Sequence, residues 1–288
     1  MLQVARLAPR LLGESAALVE AFLRSQLAED GGFRDRGGRS DLYYTVFGIE
    51  TLMALRADVP AAALEAYLRS FGVGSDLDLV HASCLARAWA ALPPDQRTQA
   101  PAGALAARIA AHRSGDGGFA AETASDVGTV YGMFLAVGAL QDLGEHVPPA
   151  EELRPALEAL RAADGGYDNL PGAAQGQTPA TAAAATLRRH FGDSRDAGLA
   201  TWLRARAHAE GGFFASPSAP MPDLLSTATA LHALSGLHAE IEDLREPCLD
   251  FVDSLWTSRG GFYGHWADDA VDCEYTYYGL LALGHLSL

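Results

Sequence analysis

Apolar positions along this chain fall into two alternating kinds of run. Ser15 to Ala28 (SAALVEAFLRSQLA) carries apolar residues at helical spacing with charges on the opposite face, which predicts a helix buried along one stripe. Asp41 to Leu55 (DLYYTVFGIETLMAL) is apolar or small nearly all round, which predicts a helix buried on most sides. The first kind recurs near 60–71, 101–113, 149–162, 194–208 and 239–256. The second recurs near 78–92, 126–143, 178–191, 223–237 and 272–287. No stretch alternates with the period of two that marks a half-buried strand. Pro60, Pro93, Pro94, Pro101, Pro148 and Pro149 fall between runs, where a missing N–H breaks no helix.

The punctuation between runs also repeats. Gly-Gly-aromatic occurs at Gly31-Gly32-Phe33, Gly117-Gly118-Phe119, Gly165-Gly166-Tyr167, Gly211-Gly212-Phe213 and Gly260-Gly261-Phe262. The first gap is twice the others, and the segment 71–92 (FGVGSDLDLVHASCLARAWAAL) supplies the missing unit, so there are six units of about 45 residues. An open array needs polar units at both ends. Here the last run, Glu274 to Leu288, would leave an apolar side in water unless the first unit covered it. The pattern therefore predicts an all-α fold: a closed α/α toroid of six inner and six outer helices, one domain over residues 1–288. The inner-helix N-termini gather at one mouth.

Composition narrows the function classes. A formal charge of -15 disfavours nucleic acid and anionic membrane surfaces, both of which reward Lys and Arg. Three cysteines with no CxxC predict no disulfide framework and a reducing, cytoplasmic setting. No apolar run reaches the roughly 18 residues of a membrane span, and Arg6, Pro9 and Arg10 interrupt the N-terminal apolar residues where a secretory segment needs continuity.

Several constellations carry candidate chemistry. Asp78, His81 and Cys84 share one face of an inner helix; facing the cavity, His81 and Cys84 would offer an imidazole and a thiolate to zinc, with Asp41 as third ligand. Asp41, Asp78, Asp126, Asp223 and Asp272 stand at five inner-helix starts, where Asp is a preferred cap. Crowded round one mouth, at least one should have a raised pKa. Arg34, Arg36 and Arg39 form a cationic loop suited to phosphate oxygens. Tyr43, Tyr44, Phe47, Tyr131, Tyr275, Tyr277 and Tyr278 lie in first turns of inner helices, enough for an aromatic wall that buries an apolar chain or steadies a carbocation. Opposite, Thr178, Thr181 and Ala182 to Ala185 leave room.

The Gly-Gly-aromatic turns with D-x-x-[YHST] helix starts resemble the prenyltransferase and squalene oxidase repeat family, which includes protein prenyltransferase β-subunits and squalene-hopene type cyclases. The resemblance covers nearly the whole chain. Asp272 to Leu283 (DCEYTYYGLLAL) looks like a transferase unit in which a diphosphate-binding His stands at Asp272. Gly31 to Phe47 resembles the unit that supplies two diphosphate-binding cations and a zinc-binding D-x-C-Y. The likeness implies Arg36 and Arg39 as the cations, Asp41 and His81 as zinc ligands and Tyr44 as the tyrosine that follows; Tyr43 stands where the family has its Cys, and Cys84 would replace that thiolate. It also implies an isoprenoid substrate in the cavity, with Tyr43, Phe47, Tyr275 and Tyr278 against it, and magnesium beside a diphosphate. Asp76-Leu77-Asp78 keeps the first two acids of the cyclase D-x-D-D motif. Three functions follow as expectations. Prenyl transfer comes first. Cyclisation with Asp78 or Asp272 as the proton donor is second, and a non-catalytic scaffold with a partner chain is third.

Overall fold

The computed structural model describes residues 1–193 and 195–288. Twelve principal helices alternate between an outer and an inner layer among the described residues. In chain order they are α1 (Ala16–Gln26) and α2 (Leu42–Leu55), α3 (Ala61–Arg69) and α4 (Leu79–Ala91), α5 (Ala102–Ala110) and α6 (Val130–Leu143). They continue as α7 (Ala150–Glu158) and α8 (Thr178–His190), α9 (Ala197–Arg204) and α10 (Leu224–Gly236), α11 (Glu242–Ser254) and α12 (Cys273–Leu286). Odd numbers are outer, even numbers inner. Each inner helix packs against the inner helix of the next unit, and α12 packs against α2, so the toroid closes. No helix among the described residues is long and apolar enough to cross a membrane.

The two layers follow from burial. Helix α7 buries only Leu153, Ala156 and Leu157, one stripe of an amphipathic surface. Most residues of α2 are buried, including Thr45, Glu50 and Thr51. Each turn aromatic, Phe33, Phe119, Tyr167, Phe213 and Phe262, is almost wholly buried between the layers, and removing a side chain of that size would cost about 3–5 kcal/mol. The backbone N–H groups of Phe33, Tyr167 and Phe213 donate to Thr45, Thr181 and Thr227 at 2.9 Å, pinning each turn to its inner helix.

In the first and last of these turns the leading glycine is required for two reasons. Gly31 and Gly260 have φ of 94° and 97°, in the left-handed region. A Cβ on Gly31 would also lie 2.1 Å from the Ala63 carbonyl oxygen, and one on Gly260 2.1 Å from that of Leu18. Both turns thus press on the next unit's outer helix, and Gly260 closes the outer ring against α1.

Asp41, Asp78, Asp223 and Asp272 cap α2, α4, α10 and α12 as expected. Asp126 does not cap α6: that helix starts at Val130, and the Thr129 hydroxyl accepts from Gly132 N–H. The physical reason is loop length. Phe119 and Thr129 have the same separation as Phe213 and Asp223 or Phe262 and Asp272. Two hairpins absent from the helical reading, Phe33–Arg34 with Ser40–Asp41 and Phe213–Phe214 with Pro222–Asp223, are two residues per strand, too short for an alternation signal. At the far end a short helix, Leu2–Ala5, packs on α2 and α12 and brings Met1 into the lumen.

Candidate functional site

The lumen holds two chambers. The one nearer the mouth, about 330 Å³, has an aromatic wall that includes Tyr43, Phe47, Tyr131, Phe134, Tyr277 and Tyr278. Phe47 is its centre, 5.0 Å from the Tyr43 ring and 5.5 Å from that of Tyr278. Across from it α8 offers Ala180, Ala182, Ala183 and Thr186, the open side expected from the small-residue run. The inner chamber, about 370 Å³, carries charged and polar groups on its walls, Glu50, Arg87, Asp142, Arg189 and His190, among apolar ones such as Leu2, Phe134 and Val137. Cys84, Arg87, Phe134 and His232 touch both chambers and form the waist between them. Arg87 is fixed there by Glu50, with Nε 2.6 Å from Oε1.

Next to the aromatic wall, though not among the residues that line the chamber, stands Glu274. The Tyr43 hydroxyl donates to its Oε1 at 2.6 Å. Burial raises the Glu274 pKa to about 7, the Tyr43 hydrogen bond opposing. A carboxyl group beside an aromatic chamber is thus available as an acid near neutral pH. Burial likewise holds Tyr43 and Tyr278 neutral, well above the usual phenol range. Sequence reading passed over Glu274, whose signal is an isolated acid one helical turn before Tyr278 in an otherwise apolar first turn.

The candidate residues divide into those the fold brings to the chamber and those it does not. Tyr43, Phe47 and Tyr278 line it, and so does Cys84. Tyr275 lies instead beneath Arg36, whose guanidinium is 5.4 Å from the ring centroid. Tyr44 meets Tyr43 edge to face outside the lining, its pKa pushed to about 12 by burial. Arg36 is spent on acids: Nε donates to Asp272 at 2.6 Å, and its terminal nitrogens donate to Asp268 at 3.0 and 2.8 Å. Arg39 has an 87% exposed side chain that reaches only Asp35. The expected diphosphate cradle is therefore not assembled, because one cation is neutralised and the other points into water. The expectation of magnesium depends on that cradle. Asp272 is raised by burial but is fully engaged as cap and as Arg36 partner, away from the cavity lining.

The expected zinc ligands are not gathered as a set of three. His81 Nδ1 lies 2.8 Å from Asp78 and Nε2 lies 3.5 Å from Asp41. The two carboxylates, Asp41 first, raise the imidazole to about 9, so it carries a proton at neutral pH. Burial pushes the Cys84 thiol up to about 12, so it stays protonated. Asp41, His81 and Cys84 do not form a three-ligand cage, and among the described residues no group of three His, Cys, Asp or Glu side chains is placed to hold a metal ion. Asp78 is half-exposed, on the His81 side of this cluster.

Comparison with known proteins agrees with the fold. The prenyltransferase alpha-alpha toroid domain family matches residues 10–83 and 180–287, and the chain belongs to that family. No curated protein matches it in sequence. Among solved structures, the type II terpene cyclase MstE from Scytonema, bound to its substrate geranylgeranyl dihydroxybenzoate, superposes with a TM-score of 0.65 at 13% identity over 97% of each chain. A protein from Actinoplanes gives 0.65 at 16% identity over 95% of this chain and 98% of the other. A glycosidase gives 0.62 at 12% over 99% and 98%. At such identities these likenesses speak for the fold alone.

Proposed function

We propose that the protein is an isoprenoid cyclase that starts ring closure by protonating its substrate. The observation that carries this is Glu274, a carboxyl with its pKa raised to about 7 and joined at 2.6 Å to Tyr43, which lines the aromatic chamber. Glu274 gives its proton to a terminal alkene carbon. The alkene electron pair makes the new C–H bond and leaves a tertiary cation, which the next alkene attacks to close a ring. The aromatic faces each favour the cation by about 0.5–2 kcal/mol where water is excluded. The apolar wall of Ala180, Ala182 and Ala183 leaves space for the folded chain and offers no nucleophile to trap it. Transfer from a prenyl diphosphate is less favoured, because Arg36 is already paired with Asp268 and Asp272.

The test uses chelator-treated protein with farnesol, geranylgeraniol and geranylgeranyl dihydroxybenzoate in deuterated water. A cyclised product carrying one deuterium from solvent, abolished in Glu274→Gln, is the expected result. Cyclisation undiminished by Glu274→Gln, or no cyclisation of any of the three, overturns it.

A further inference from the structure

We propose that His232 is the base that ends the reaction, taking a proton from the last carbocation at the inner end of the aromatic chamber, with His285 as the positioning residue that fixes its tautomer. This builds on the cyclase reading above.

Three observations support the assignment. His232 on α10 touches both chambers at the waist, the end of the aromatic chamber opposite Glu274. It is 7% exposed, and its Nδ1 lies 3.0 Å from Nε2 of His285 on α12, itself 3% exposed. With Nδ1 engaged, Nε2 is the ring nitrogen left for the cavity. His285 Nδ1 is buried with no hydrogen-bond partner, and such an orphan in a packed core calls for an explanation in function or strain.

The pairing makes chemical sense. When His232 Nδ1–H donates to His285 Nε2, His232 Nε2 carries a lone pair into the chamber and the single N–H proton of His285 sits on the orphaned Nδ1. The C–H bond next to the cationic carbon breaks, its electron pair forms the product alkene, and the proton passes to His232 Nε2. Both His232 nitrogens then donate, and His285 Nε2 still accepts from one of them. The imidazolium next releases its proton to water on the polar side of the waist, beside Asp142 and Glu50, while Glu274 regains one from solvent at the mouth. The net change is an isomerisation with no proton gained or lost. Burial, the chain's amino terminus, His285 and Arg189 hold His232 neutral, with its pKa lowered to about 2. A base this weak is still far stronger than a tertiary carbocation requires. It is also unprotonated across the physiological range and quick to reset.

The experiment compares wild type, His232→Phe, His232→Asn, His285→Leu and His285→Gln on geranylgeraniol and geranylgeranyl dihydroxybenzoate, and reads the ratio of products within the substrate consumed. In both His232 variants the main alkene should fall at least about a hundredfold against alkene isomers and water-captured alcohols, the low end of what a positioned base contributes. His285→Gln keeps an acceptor near Nε2 and should restore the wild-type ratio that His285→Leu loses. The ¹⁵N shift of His232 Nε2 in the wild-type protein should be that of an unprotonated nitrogen. An unchanged product ratio in a folded His232 variant, or a protonated Nε2, overturns the assignment while leaving the cyclase reading intact. If wild type cyclises neither substrate, the cyclase reading falls and the assignment falls with it.

Discussion

Arg36 Nε lies 2.6 Å from Asp272 Oδ2, joining residues 236 positions apart. The same guanidinium holds Asp268 in the last turn, so one side chain from the first unit clamps both the loop and the helix start of the sixth. Arg36→Leu would leave Asp272, whose side chain is 3% exposed, as a buried carboxylate without its cation. The expected loss is about 2–3 kcal/mol, below the range for fully buried pairs because Arg36 is itself part-exposed to screening water. Guanidinium unfolding measures it. Adding Asp272→Asn, which keeps the cap acceptor, should return at least about 0.5 kcal/mol; strict additivity of the two changes would show that the pair does not couple.

The toroid was legible because its signals are local and repeated. A Gly-Gly-aromatic turn sets a backbone conformation that side chains disfavour, and an inner helix is apolar all round. Both features are written within a few consecutive residues. The aromatic wall and the small face of α8 could also be read, since first-turn Tyr residues and the Ala182 to Ala185 run need only the inner-helix assignment. What escaped depends on partners far away in sequence. Arg36 looked like a free cation because Asp268, 232 positions on, is invisible to local reading. Glu274 gains its raised pKa from burial beside Tyr43 of another helix, and the His232–His285 contact spans 53 positions. The His81 surroundings were hidden for a related reason: Asp41, 40 positions back, faces the ring nitrogen opposite the one that meets Asp78.

The pH dependence of turnover follows from Glu274. The group must be protonated to act, and its pKa is raised from 4.5 to about 7. Activity should therefore be level below about pH 6 and fall about tenfold per unit above 7. The hydroxyls of Tyr43, Tyr278 and Tyr131 around it stay neutral through that window, and Arg36 stays charged. Stability moves the same way: the unfolded chain ionises Glu274 from about pH 4.5 and the folded one resists until about 7, so stability declines across that interval. Glu274→Gln should remove the decline and be the more stable protein at pH 8, by about 1–2 kcal/mol. A wild-type rate profile that rises between pH 6 and 8 would contradict the acid role.

His81 predicts a second window with a different origin. Its pKa is raised from 6.5 to about 9 by Asp41 and Asp78, so the stabilisation is complete below pH 6.5 and lost as pH climbs to 9. The ring is about one-third exposed, which limits the effect to about 0.5–1 kcal/mol. Melting temperature should fall across that window in wild type and stay flatter in His81→Asn. One equivalent of zinc should leave the wild-type melting temperature unchanged, since among the described residues no group of three donors is placed to hold it. A zinc-dependent rise that His81→Asn removes would restore the metal site.

The small face of α8 gives the last prediction. Ala183 is half-buried and lines the aromatic chamber, whose volume of about 330 Å³ is what a folded isoprenoid chain would occupy. Ala183→Phe places a ring in that space without disturbing the packing between layers, so stability should change by less than about 1 kcal/mol. Turnover of a twenty-carbon substrate should nevertheless drop by at least about tenfold, with KM affected more than kcat for a fifteen-carbon substrate that still fits, as expected when binding volume alone is removed. Calorimetry and steady-state kinetics on the two chain lengths separate the cases. Equal losses on both substrates would mean that the chamber does not measure chain length, and unchanged kinetics on both would mean that the isoprenoid does not bind there.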